Sequence, residues 1–263
     1  MALLYVRHPV LRHGATAMTS SDRTILRLSG PDRMAFLQGL VTNDVNRLSD
    51  GLVYTALLTP QGKLRSDFFL VPAGDDILID LPALAGTDLL KALSLYKLRA
   101  KVALEETAIK VSRGTGPAPD GAFPDPRDPR LGWRAYDGRA SEDGVDWDAI
   151  RVAAGIPEFG IELTPESFIL EAGFERLNGV DFRKGCYVGQ EVTARMKHKT
   201  ELRKGLAIVA VDGTAPVGTE IIADGKAAGT LYTQSNGAGL AYLRFDRAQG
   251  EMQAGEARVR RQA

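Results

Sequence analysis

The first patterned stretch, residues 24–28 (Thr-Ile-Leu-Arg-Leu), is apolar and β-branched and predicts a strand ended by Ser29-Gly30-Pro31. Asp32 then stands where it can cap a helix carrying Met34, Phe36, Leu37 and Leu40. Residues 53–58 and 66–71 read as strands around the turn Pro60-Gln61-Gly62, and 77–81 as a third. Residues 83–98 predict an amphipathic helix with Leu84, Leu89, Leu90, Leu93 and Leu95 as its apolar set. Strands return at 101–105 and 109–112. Strands mixed with two helices point to the α+β class.

Residues 114–132 interrupt this order with five prolines and the doubled Asp125-Pro126-Arg127-Asp128-Pro129-Arg130. Proline biases its predecessor toward extended geometry, so a loop or crossover is expected, its charges solvated. A helix follows over 147–154, stopped by Gly155. From about residue 201 short strands dominate, at 206–211, 220–223, 227–233, 239–245 and 258–260, with turn signals at Asp212-Gly213 and Asn236-Gly237. That spacing predicts a small β-barrel or sandwich. The expected organisation is an extension at 1–23, an α+β region at 24–200 with its crossover at 114–132, and a C-terminal β module at 201–263.

Composition narrows the function. Hydrophobic residues make up 44% and charged residues 25% of the 263, as in ordinary soluble globular proteins. Lys plus Arg and Asp plus Glu are both 33, which argues against a generally basic nucleic-acid binder. No apolar run approaches the ~20 residues of a membrane span. Residues 1–21 contain Arg7 and Arg12 but no acid, a feeble echo of a transit peptide, and are read as a short extension before the first strand. A bacterial cytoplasmic location is expected, or a mitochondrial matrix one for a eukaryotic source.

The chain has one cysteine and three histidines, His8, His13 and His198. One cysteine makes no intramolecular disulfide, which fits a reducing compartment. An iron–sulfur cluster normally takes four thiolate-type ligands and a structural zinc four side chains, so one protomer supplies neither. There is no G-x-x-x-x-G-K-[ST] phosphate loop and no G-x-S-x-G nucleophile turn. Chemistry therefore concentrates on Lys184-Gly185-Cys186-Tyr187-Val188-Gly189-Gln190-Glu191. Gly185 and Gly189 allow a sharp turn or a close approach. From Gln190 the pattern turns helical, with Glu191 and Arg195 four apart beside Val192 and Met196. Cys186 is thus expected just ahead of a helix N-terminus and beside Arg183 and Lys184, a setting that favours the thiolate. The alternative is a buried, inert cysteine in a glycine-rich turn.

This motif closely resembles the K-G-C-Y-x-G-Q-E signature of YgfZ-type folate-binding proteins, relatives of the glycine-cleavage T-protein (aminomethyltransferase). Further blocks resemble the family in its order: Gly30-Pro31-Asp32-Arg33, Phe36-Leu37-Gln38-Gly39, Thr42-Asn43-Asp44-Val45, Leu58-Thr59-Pro60-Gln61-Gly62-Lys63 with Asp67, and Gly155-Ile156-Pro157-Glu158-Phe159-Gly160. The resemblance implies an aminomethyltransferase-like folate-binding fold closed by a β-barrel. It implies tetrahydrofolate or a derivative as ligand, and a link to iron–sulfur enzymes through assembly proteins or client enzymes. Trp147 would wall the pterin, Arg151 would meet a carboxylate, and Asn43 would hydrogen-bond it. Their structural alternatives are a core anchor, a solvated helix residue and a turn former. The T-protein's N-A-S-N…K-D block is missing: the stretch expected to match it reads Ile79-Asp80-Leu81-Pro82-Ala83-Leu84. With the cysteine motif gained, this points away from glycine cleavage. The leading reading is a folate-binding assistant of iron–sulfur assembly or maintenance, with Cys186 as functional thiol and Lys184 and Arg195 keeping it electropositive. The rivals are a tetrahydrofolate-dependent one-carbon transferase and a direct tRNA-modification factor.

Overall fold

The structure is a computed structural model and describes residues 22–198 and 201–262. The expected extension therefore lies, except for its last two residues, outside the described residues. A five-stranded antiparallel sheet organises the first part, in the order β2 (Val53–Leu58), β3 (Leu64–Ala73), β4 (Asp76–Pro82), β1 (Arg23–Ser29), β5 (Ala103–Glu106). Side chains alternate faces along a strand, and here both faces are covered. Leu26, Leu28, Phe68, Leu70, Ile77 and Ile79 pack under helices α1 (Arg33–Gln38) and α2 (Gly86–Lys97). Ile25, Tyr54, Ala56, Phe69 and Leu78 face a second core with Leu131, Ile156, Phe174 and Tyr187.

Several expectations are corrected. Asp32 does not cap α1 through its side chain; that carboxylate instead accepts from the Lys101 backbone N–H at 2.7 Å. The helix expected over 83–98 begins with a 3₁₀ turn, Ala83–Ala85, and only Leu89 and Leu93 of its apolar set are buried. Leu84 and Leu95 are 70% and 76% exposed, because a helix resting on a sheet covers one stripe only. The strand expected at 109–112 forms at β6 (Ser112–Gly114), which pairs with β8 (Trp133–Ala135) beside β7 (Phe123–Pro124).

The proline-rich crossover carries the largest correction. Asp125 is buried, as is Arg134 just beyond it, and the two pair at 3.1 Å. The first half of the doubled repeat, Asp125 and Arg127, belongs to a buried ionic centre, whereas Arg130 of the second half, paired with Asp128, is exposed as expected. Proline gives no signal for this, since it fixes local geometry and not burial.

The helix over 147–154 forms as α3 (Trp147–Ala154). Asp146 caps it by accepting from the Ala149 N–H, and Gly155 closes it in the left-handed conformation at φ 64. The C-terminal strands close into a barrel in the order β10 (Thr219–Ala223), β11 (Lys226–Ser235), β12 (Ala238–Arg244), β9 (Lys204–Asp212), β14 (Ala257–Arg261), β13 (Glu251–Ala254). Short β13 lacks a strong sequence signal and is fixed by its ladder with β14. Helix α3 packs on β11 and β12, joining the barrel to the first part.

Candidate functional site

Cys186 is exposed, and the loop that displays it is pinned on both sides. The Thr42 hydroxyl donates to the Gly179 carbonyl at 2.7 Å, and the Asp181 N–H donates to the Thr42 carbonyl at 3.0 Å. The Asn43 amide donates to the carbonyls of Asn178 at 2.7 Å and Tyr54 at 2.8 Å. Lys184 then reaches back, its ammonium donating to the Gln38 and Val41 carbonyls at 2.6 Å each. Burial lowers its pKa to about 8, although Asp44, Asp181 and Cys186 favour the charged form.

On the far side Tyr187 is buried in the core, and α4 (Gln190–His198) starts three residues later. Gly189 has φ 81, and a Cβ there would meet the Thr59 carbonyl at 2.6 Å. Gly185 has φ 88 with open space around it. Gly185 supplies turn geometry; Gly189 supplies geometry and a backbone approach no side chain permits. The thiol thus sits on a fixed, open pedestal, and the buried-cysteine alternative is overturned.

The other expected residues divide. Gln190 is half-buried at the start of α4, while Glu191 and Arg195 are exposed and no ion pair joins them among the described residues. The folate contacts fit poorly. Asn43 has both amide hydrogens engaged in tethering the loop. Arg151 is buried between Asp148 at 3.1 Å, Glu158 at 3.2 Å and Glu162 at 3.0 Å, and it donates to Thr233 of β11 at 2.8 Å. It is an interior clasp between α3 and the barrel, with its donors occupied. Trp147 is buried with the Arg113 guanidinium 3.9 Å above its ring. Neither a free aromatic wall nor a free carboxylate clamp is formed by these three residues.

What sequence reasoning missed is the ionic centre on the same sheet face. Asp80, fully buried, accepts from Arg23 at 2.6 Å, Arg134 at 2.9 Å and the Tyr136 hydroxyl at 2.8 Å. Its carboxylate is occupied by these three donors. Asp125 is gripped by Arg127 at 2.8 Å and Arg134 at 3.1 Å. Burial alone would raise both carboxyls, but the neighbouring guanidiniums outweigh it and hold both below the usual carboxylate range. Asp67 differs: burial dominates and raises it, and only one of its oxygens is engaged, accepting from the Tyr54 hydroxyl at 3.0 Å. Alternation on β1, β3 and β4 puts Arg23, Asp67 and Asp80 on one face, a pattern legible in the sequence as charges breaking apolar runs.

An open groove of about 770 Å³ runs beside this centre, lined by Arg27, Thr107, Ile109, Tyr136 and Arg139. None of the expected site residues lines it. Among the described residues no group of three or more His, Cys, Asp or Glu is placed to hold a metal ion, and no helix is long and apolar enough to cross a membrane.

Comparison with known proteins places this geometry. Residues 203–262 match the family described as CAF17, C-terminal beta-barrel domain. Relatives named iron-sulfur cluster assembly factor IBA57, mitochondrial, occur in Mus musculus and Homo sapiens, each 30% identical. The mouse match covers 90% of this chain and 80% of the relative; the human match covers 88% and 78%. The chain belongs to the IBA57 family. The IBA57 homolog of Neurospora crassa is 36% identical over 82% of the chain, which spans only 57% of that relative's length. The YgfZ-type label suggested by the motif is close, and the relatives found carry the IBA57 name. The crystal structure of glycine cleavage system aminomethyltransferase T from Bartonella henselae superposes with a TM-score of 0.72, covering 91% of this chain and 82% of that one at 13% identity. The aminomethyltransferase-like fold with its closing barrel is therefore established for this IBA57-family chain.

Proposed function

We propose that this protein serves iron–sulfur cluster assembly, with Cys186 lending one thiolate to a cluster held jointly with an assembly partner or client enzyme. The observation that carries this is the exposed lone cysteine on a pinned loop, in a chain of the IBA57 family. A single thiolate leaves most of a cluster's ligand set to the partner, so the interaction is transient by construction. The cluster is cargo. Lys184 braces the loop and places a positive charge near the thiol, which suits an anionic sulfur ligand. For a eukaryotic source, the relatives' mitochondrial names support a mitochondrial setting, within which the matrix is the compartment of this reading. Tetrahydrofolate remains a reading supported by the motif resemblance and the fold, without help from Asn43, Trp147 or Arg151.

The test is complementation of a deletion strain. Cys186→Ser, nearly equal in volume and exposed, is expected to accumulate as normal folded protein while iron–sulfur enzyme activities stay low and glycine cleavage is unchanged. Full restoration by Cys186→Ser at normal protein level would refute the thiolate role.

A further inference from the structure

Arg113 is a buried cation without a direct ion pair among the described residues. It is 7% exposed, and its side chain makes no ion pair or hydrogen bond among the described residues; its Nε is buried and unpartnered. Strand pairing sets it directly across the ladder from Arg134, and cross-strand like charges repel. Arg127 and Arg23 add to the positive field at this guanidinium, and burial with this repulsion drives its pKa well below the ordinary value.

The surrounding acids make their direct contacts with other groups, although Asp125 and Glu158 still feel the Arg113 charge through space. Asp80 is taken by Arg23, Arg134 and Tyr136, and Asp125 by Arg127 and Arg134. Glu158 pairs with Arg151 at 3.2 Å. Asp67 has a free oxygen, but it answers to Arg23 and Arg127. A buried charge is retained at small cost only when paired. The Arg113 guanidinium lies 3.9 Å from the Trp147 ring centroid, a contact with the ring face that occupies none of its N–H donors.

We propose that Arg113, stacked on Trp147, is the seat of an oxyanion, a carboxylate or phosphate group received through the guanidinium fork. The ligand chemistry is that of a small anion or of the anionic end of a larger molecule. The seat rests on residues apart from the Cys186 loop, so it does not depend on the assembly reading. It also explains why a second strand of the three-stranded sheet tolerates an arginine opposite Arg134.

The test titrates inorganic phosphate and formate into the intact protein at constant ionic strength, following the melting temperature and the heat of binding. A saturable rise of roughly 3–5 °C at tenfold excess over Kd is expected. Arg113→Met should lose that rise and melt, without anion, at or above the wild type, because the unpaired buried charge is gone. No saturable response in the wild type, or an equal response in Arg113→Met, would overturn the seat. Should Arg113→Met not fold, Arg113→Lys decides: it keeps the charge and loses the fork, so phosphate affinity at least tenfold weaker supports the seat and equal affinity overturns it. Tetrahydrofolate titrated into wild type and Arg113→Lys separates the sources. Weakened folate binding in the variant identifies a glutamyl carboxylate as occupant, and phosphate binding without folate binding identifies a free oxyanion. Folate binding indifferent to the substitution, with no phosphate response, removes the seat and leaves the folate reading standing.

Discussion

At Gly189 the chain does what only glycine allows, and the neighbouring Gly185 provides the control. Both have φ above 80, but only Gly189 is also in contact with backbone, at the Thr59 carbonyl. Gly185→Ala is expected to cost about 1–2 kcal/mol from left-handed strain alone. Gly189→Ala adds a steric clash and should cost about 2–4 kcal/mol, with α4 displaced from the Thr59–Gly62 turn. Urea denaturation of the two variants measures the difference, and equal costs would show that the close approach is not rigid. The motif's glycines are visible in the sequence, but which of them is pressed against another segment is not. The same holds for Arg151: a lone arginine four residues into a helix reads as solvated, and only the docking of the barrel turns it inward onto Glu162 and Thr233.

On the scale of elements, α2 separates pattern from placement. Leu93 is fully buried against the sheet while Leu95, two residues on, is 76% exposed. Leu93→Ala is expected to destabilise by about 2–5 kcal/mol, whereas Leu95→Ser should change stability by no more than about 0.5 kcal/mol. Thermal melts of both would check this, and a large loss from Leu95→Ser would mean that its face is covered. Strand positions were the most legible part of the chain, because 53–58 is apolar but for Thr55 and buried on both faces. The helix set was less so: five leucines within twelve residues exceed the stripe one helix buries, and the excess stays in water.

Across the whole molecule, the ionic centre ties the sheet to the crossover through Asp80, Arg134 and Asp125. Both carboxyls have folded pKa values below their unfolded ones, near 3.9. Their contribution is therefore fully present above the unfolded value and lost as pH falls through the depressed folded values. Asp67 has the opposite sign, since its folded pKa is raised and its contribution fades as pH rises through it. Arg134→Met removes the cation shared by Asp80 and Asp125 and should cost about 3–5 kcal/mol at neutral pH. That deficit should narrow below about pH 4 as the stranded carboxyls protonate. A deficit independent of pH would mean that Arg134 acts by packing alone. The sequence by itself determined the positions of the hydrophobic runs along the chain, the terminal module of short strands, the helix from Trp147 to its glycine stop and the cysteine loop. All of these rest on local signals: periodicity, capping residues and glycine spacing. Tertiary structure alone decided which charges are interior. Arg23, Asp80, Asp125 and Arg134 come from segments up to 111 positions apart, and the burial of each depends on the others being there to neutralise it.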